Sequence, residues 1–202
     1  PVSDPAQSAF SHEEAARLRV QIFAASTPAE KVAALRQFAY APVPPPEKVR
    51  IFLQATADED RPLRAAAPQG LRLLGLSPDM AETARLLAEG IPEEARAALA
   101  RLRDLAPAAP ELDRDAALMA LLGIVRDPHT PGEDLIAALH TLRETATAFG
   151  ADRLCRDDIL RILLERLLSG NEDVLLALRG TCAAIESLRA GGNGYSSIAA
   201  NF

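Results

Sequence analysis

The sequence predicts an all-α protein built as an α-solenoid of about five stacked pairs of antiparallel helices. Apolar residues recur at helical spacing along nearly the whole chain, whereas β-branched residues are sparse. Prolines and glycines divide this pattern into segments of helical length. The second segments of successive pairs begin roughly 32 to 40 residues apart, which is the range of two-helix repeats.

Composition limits the class of protein. The chain has 202 residues, a net charge of −6, 4% aromatic residues and no Trp. An acidic surface does not attract nucleic acid or anionic membranes, and no apolar run approaches the roughly 20 residues that span a bilayer. Cys155 and Cys182 form no paired motif, so we interpret them as small buried side chains of a cytoplasmic protein. The preference for Arg over Lys, together with abundant Ala and Pro, is typical of GC-rich bacterial genomes.

Caps and prolines define the first six predicted helices. Ser11 and Glu14 form a capping-box pattern at the first helix. Thr27 caps the second helix, and Pro28 occupies its first turn, where the missing N–H is not needed. Pro68 lies inside the fourth helix and predicts a kink. We place these helices at 11–25, 28–39, 47–57, 60–74, 78–90 and 92–106.

Four further helices are predicted at 113–126, 131–149, 152–169 and 172–190, with Gly150 and Gly170 ending two of them. The proline-rich residues 41–46 are expected to be a non-helical linker that lets the first helix pair move against the rest.

The helices define a repeat domain over residues 11–190, preceded by an N-terminal extension, residues 1–10. Residues 191–202 begin with a glycine-rich stretch and are expected to form a flexible tail. The alternative is a segment that docks through Tyr195, Ile198 and Phe202.

Two central pairs carry a shared motif in their second helices. Residues 60–66 place an acidic turn before an apolar residue, Arg and two Ala, and residues 94–99 repeat this pattern, so that Arg64 aligns with Arg96. The motif resembles that of HEAT repeats, best over residues 47–106, and the later pairs lack the Arg. The resemblance implies a right-handed HEAT/armadillo-like superhelix that serves as a binding scaffold, and it implies no activity. Other stacks of helical hairpins are alternatives.

No catalytic or metal-binding motif is found in the sequence, so we expect no enzyme, cofactor or metal. The histidines His12, His129 and His140 lie in different parts of the chain, without the spacing of a metal site. Serine-hydrolase, phosphate-loop and dinucleotide-binding motifs are not found. The acidic clusters fall at helix starts, where negative charge stabilises the helix dipole.

Polar positions of the second helices provide the candidate binding residues. If these helices line the concave face, as the resemblance implies, their guanidinium groups would bind the carboxylates of an acidic protein segment. For Arg64 and Arg96 the alternative is an ion pair with the turn acids Asp60 or Glu93. The candidates are Arg61, Arg64, Arg72, Arg96, Arg103, His140, Arg143 and Arg179.

These observations favour a non-catalytic protein–protein interaction scaffold or adaptor that binds a partner through its concave face. One alternative is a HEAT-like nucleic-acid-binding protein similar to the DNA-alkylation glycosylases. That function calls for a basic groove and stacking aromatics, and this chain has two Tyr and no Trp. Another alternative is a chaperone or lyase subunit for a cofactor-bearing client. The sequence does not indicate an oligomeric state.

Overall fold

The all-α prediction is confirmed. The structure, a computed structural model, describes residues 12–89, 92–167 and 172–192, and within these ranges it contains α-helices and no strand. The predicted extension and tail, with Ser11, Gly170, Tyr195, Ile198 and Phe202, lie outside the described residues. The helices are α1 (His12–Ala24), α2 (Pro28–Tyr40), α3 (Pro45–Thr56), α4 (Arg61–Leu73), α5 (Pro78–Glu89), α6 (Pro92–Leu105), α7 (Glu111–Arg126), α8 (Gly132–Glu144), α9 (Ala146–Phe149), α10 (Ala151–Leu154), α11 (Asp157–Leu167) and α12 (Glu172–Gly192).

Helix starts in the first half follow the predicted caps, with one correction. Thr27 and Glu30 form a reciprocal capping box at α2, the backbone N–H of Glu30 donating to Thr27 Oγ1 over 3.3 Å. The linker predicted at 41–46 is wrong at its end, because α3 already begins at Pro45. Prolines fit this first turn because its N–H groups need no helical partner. Helix α4 continues through Pro68, which is buried.

The second half contains two breaks that the apolar pattern did not predict. The helix expected over 131–149 is divided at Thr145 into α8 and α9. At the break, Thr145 Oγ1 donates to the carbonyl of Thr141 over 2.7 Å, and the backbone N–H of Thr145 donates to the same carbonyl over 3.0 Å. The helix expected over 152–169 is divided between α10 and α11 at Cys155 and Arg156. Gly150, with a φ of 82°, makes the turn between α9 and α10.

Sequential helices pack as hairpins, and the hairpins pack on one another in a repeat-like way. Helix α1 lies against α2, α3 against α4, α5 against α6, and α7 against α8. Between hairpins, the second helices meet as α2 with α4, α6 with α8, and α8 with α12. The first helices meet as α3 with α7 and α7 with α11.

The middle of the chain departs from a regular stack of five pairs. A regular stack would place α5 between α3 and α7 and would pack α6 on α4. Instead α5 packs against both α4 and α7, and α3 contacts α7 directly. The α5–α6 hairpin therefore does not separate α3 from α7, and side chains on these two helices share one surface.

The contact between α3 and α7 depends on a glycine. Gly123 of α7 is buried, and a Cβ atom built there would lie 2.6 Å from Arg64 Cδ and 2.8 Å from the carbonyl oxygen of Thr56. The carbonyl belongs to the backbone and cannot rotate away. The absence of a side chain at residue 123 therefore allows α7 to approach the end of α3.

We expect Gly123→Ala to lower the free energy of unfolding by about 1–3 kcal/mol, because overpacking forces the two helices apart. Urea denaturation measures this change. The matched control is Gly180→Ala, where a new Cβ would meet only the side chain of Arg143, at 3.2 Å from Nη1 and 3.7 Å from Cδ. In the control, better helix propensity should give a change between zero and about +1 kcal/mol. Equal destabilisation by both variants would contradict the close approach.

Candidate functional site

Arg64, a predicted binding residue, is buried in an ion pair. Its side chain is 3% exposed, and its Nη2 donates to Asp127 Oδ2 over 2.7 Å. Its Nη1 donates to the carbonyls of Asp58 and Glu59 over 2.8 and 2.9 Å. Arg166 of α11 donates to the carbonyl of Asp127 from the other side. Arg64 thus joins the α3–α4 turn to the α7–α8 turn and presents no surface to a partner.

A second pair repeats this arrangement one hairpin earlier. Lys31 Nζ donates to Asp60 Oδ2 over 2.7 Å. Lys31 is the fourth residue of α2, and Arg64 is the fourth residue of α4. Arg64 therefore pairs with the acid of a turn, as the alternative expected, but that acid is Asp127, and Asp60 pairs with Lys31. Each cation pairs with the turn acid of the hairpin that packs next to its own.

The remaining predicted residues fall into separate groups. Arg96 pairs with Glu133 at 3.3 Å instead of the expected Glu93, and Arg103 pairs with Glu144 at 2.9 Å. Together with His140, these two arginines line a cleft of about 200 Å³ between α6 and α8.

The other four predicted residues do not line that cleft. Arg61 lies 3.8 Å from Asp127, which ties it to the buried ion pair. Arg143 reaches over Gly180 of α12. Arg72, at the end of α4, and Arg179, on α12, are exposed. The structure therefore brings together three of the predicted residues, and their role in binding stays a prediction.

A larger groove lies on the first helices, where no site was predicted. This groove, which we call the arginine groove, has a volume of about 700 Å³ and is formed by α3, α7, α10 and α11. Five arginines and two carboxylates supply its charges: Arg50, Arg126, Arg153, Arg156, Arg161, Asp115 and Glu165. Apolar side chains supply most of the remaining lining: Val49, Leu53, Ala57, Leu118, Met119 and Ile162.

The arginines of this groove differ in how far they are neutralised. Arg153 donates to Asp115 over 2.5 Å and to Glu111 over 2.8 Å. The hydrogen bond to Asp115 is the main reason that the pKa of Arg153 is raised. Arg50 and Arg126 are exposed and form no ion pair with any described residue. These two guanidinium groups can therefore meet the charges of a ligand.

Sequence reasoning missed the arginine groove because it assigned binding to the second helices. Four of the five groove arginines lie on the first helices α3, α7 and α11 or on the short α10, and Arg156 lies in the turn before α11, so the assumed concave face excluded them. One signal was present in the sequence: Arg153, Arg156 and Arg161 fall within nine consecutive positions of this acidic chain. The juxtaposition of Arg50 with Arg126 had no such signal, because it depends on the direct contact between α3 and α7.

The described residues contain no group of three or more His, Cys, Asp or Glu side chains placed to hold a metal ion. Cys155 and Cys182 are free thiols that are partly buried. Burial, followed by the charge of Glu186, raises the pKa of the Cys182 thiol, which disfavours the reactive thiolate. Among the helices of the described ranges, none has the length and apolar character to cross a membrane.

Comparisons with protein-family models, curated proteins and solved structures find no match for this chain. The functional interpretation therefore depends on the geometry and charge of the chain itself.

The Arg64–Asp127 pair predicts a pH-dependent stability. Burial raises the pKa of Asp127, but the hydrogen bonds from Arg64 and from the backbone N–H of His129, with the charges of Arg64 and Arg61, outweigh it. The pKa of Asp127 is therefore lowered. Its stabilising contribution is complete above the ordinary carboxyl pKa of about 3.9 and is lost as the pH falls through the folded-state value.

We expect Asp127→Ala to lower the free energy of unfolding by about 3–5 kcal/mol at pH 7, because Arg64 is left buried without its counter-charge. The difference from wild type should shrink below about pH 4, where Asp127 of the unfolded chain takes up a proton, and should be smallest once the folded protein also loses this carboxylate at its lowered pKa. Urea titrations at pH 7, 5 and 3 measure both effects. The control, Asp104→Ala, removes an exposed carboxylate and should change stability by less than about 0.5 kcal/mol. A difference that is constant with pH would contradict the assignment.

Proposed function

We propose that this chain is a non-catalytic protein-binding scaffold that captures an acidic segment of its partner in the arginine groove. The observation that carries the proposal is the local charge. Five arginines and two carboxylates surround an apolar floor in a chain whose net charge is −6. A positive groove attracts a complementary acidic surface, and opposite charges across an interface favour binding of that partner in one orientation.

The proposal includes a HEAT-type solenoid as the scaffold. The matching positions of Lys31 and Arg64, each paired with the turn acid of the next-packed hairpin, support a repeat origin. The interrupted stacking at α5 and α6 makes it an irregular solenoid. We further propose a cytoplasmic location, which suits the two free cysteines.

The face of α6 and α8 is the competing location for the same function. Its two cleft arginines already pair with Glu133 and Glu144. Such exposed pairs are worth about 0–1 kcal/mol each, so a ligand could break them, but it would first have to displace a carboxylate. Arg50 and Arg126 carry no such competitor among the described residues. The arginine groove is therefore the stronger candidate.

Nucleic acid is a weaker candidate for the groove. Proteins that bind single strands stack bases on aromatic side chains, and duplex binders need a run of phosphate contacts. The lining of the arginine groove includes no aromatic residue. No observation favours a chaperone or lyase role over simple protein binding.

A pull-down from cells that contain the protein tests the site, with partners identified by mass spectrometry. We expect Arg50→Glu/Arg126→Glu to reduce partner recovery by about tenfold or more, because two attractions become repulsions. Arg36→Glu/Arg189→Glu, two exposed positions outside the groove, gives the same change of net charge and should retain the partner. Circular dichroism establishes that each variant is folded.

A third variant, Arg72→Glu/Arg103→Glu/Arg143→Glu, tests the competing face. Loss of the partner from this variant but not from the groove variant would place the site on the second helices. Duplex DNA affinity that falls steeply with salt, without any protein partner, would overturn the proposal in favour of nucleic-acid binding.

A further inference from the structure

The arginine groove continues onto a second cavity on the other side of α3. This cavity has a volume of about 400 Å³ and lies between α1 and α3. Val20 and Phe23 supply apolar surface there, and Val20 is 64% exposed. Arg50 and Gln54 line both cavities and form the ridge between them. The two cavities therefore form one surface that crosses α1, α3, α7 and α11.

We propose that this surface binds an acidic amphipathic helix of the partner protein, lying across the first helices. This inference rests on the proposed function and specifies its ligand. Apolar side chains of the partner helix cover the floor at Leu53, Met119 and Ile162. Its carboxylates meet Arg50 and Arg126.

The secondary structure of the scaffold favours a helical ligand. An extended peptide gains much of its affinity by pairing its backbone with an exposed strand edge. The described residues contain no strand, and the backbone around the groove is engaged in its own helices. Recognition therefore depends on side chains, and a helix presents the densest row of them on one face. Met119 in the floor can adapt to the shape of such a row because its side chain is flexible.

The lining also determines the chemistry of that helix. A purely acidic ligand would satisfy the arginines but leave the apolar floor in contact with water. A purely apolar ligand would bury Arg50 and Arg126 without counter-charges, which is unfavourable. A helix with leucine-like residues on one face and glutamates along its flanks satisfies both groups.

Arg50 holds a particular position in this arrangement because it borders both cavities. It is the charged residue of the ridge, whose other member is Gln54, so a helix that crosses α3 there has its carboxylates within reach of Arg50. Arg126, in contrast, lines the arginine groove and does not line the second cavity. We therefore expect Arg50→Glu to weaken helix binding more than Arg126→Glu does.

Fluorescence anisotropy with the full chain and labelled synthetic peptides tests the inference. The probe has about 18 residues, long enough for a stable helix, with leucines on one face and glutamates on both flanks. One control peptide has the same composition with the leucines distributed around the helix, and another replaces every glutamate with lysine. We expect both controls to bind at least tenfold more weakly than the probe.

Protein variants complete the test. Arg50→Glu/Arg126→Glu should bind the probe at least tenfold more weakly, while Arg36→Glu/Arg189→Glu should bind it as wild type does. The conservative variant Arg50→Lys keeps the charge and should retain most of the affinity. Circular dichroism should show the probe gaining helicity on binding.

The outcomes separate this inference from the proposed function. Equal affinity for the probe and its rearranged isomer would overturn the amphipathic helix, while the groove could still bind acidic segments. The same conclusion follows if no peptide binds although the groove variant loses its cellular partner. If the groove variant binds the probe as wild type does and also keeps its cellular partner, the proposed function itself is wrong.

Discussion

The ion pair between Arg64 and Asp127 is the contact on which the arrangement of this protein depends. It connects the α3–α4 turn to the α7–α8 turn, and Arg166 adds α11 to the same point. Burying two charges is costly, so such a pair stabilises a fold weakly compared with apolar packing. We interpret its role as selecting one packing of the two hairpins, because a packing that separated Arg64 from Asp127 would leave a charge buried without a partner. Gly123 acts with it, since a side chain there would collide with Arg64 and with the carbonyl of Thr56.

The fixed register has a consequence for the surface of the molecule. Because α5 packs against α4 and α7, α3 contacts α7 directly. Helix α7 also contacts α11. Residues that belong to three different hairpins thereby line one groove. A regular stack of five pairs would have inserted α5 between α3 and α7 and divided this surface. The proposed binding site thus depends on the irregularity in the repeat-like packing of the hairpins.

Both rows of helices carry paired and unpaired cations. On the second helices, Lys31 is matched by Asp60, Arg96 by Glu133 and Arg103 by Glu144, whereas Arg72, Arg143 and Arg179 form no ion pair with a described residue. These pairs connect neighbouring hairpins and act within the fold. On the first helices, Arg50 and Arg126 have no such partner among the described residues, although the chain as a whole is acidic. The two arginines of the motif that resembles a HEAT repeat, Arg64 and Arg96, are both paired, and the candidate binding arginines of the groove lie outside that motif.

The caps, prolines and apolar spacing of the sequence were enough to predict the all-α class and most helix starts, because these signals act over a few residues. They failed at Thr145, where the helix breaks although the apolar pattern continues, and at Pro45, which lies in the first turn of α3. The partner of Arg64 and the arginine groove could not be predicted, because both arise from packing between segments far apart in the chain. Such packing depends on the shape of a whole interface, down to one missing Cβ at Gly123, and no local pattern encodes which of several similar hairpins will meet.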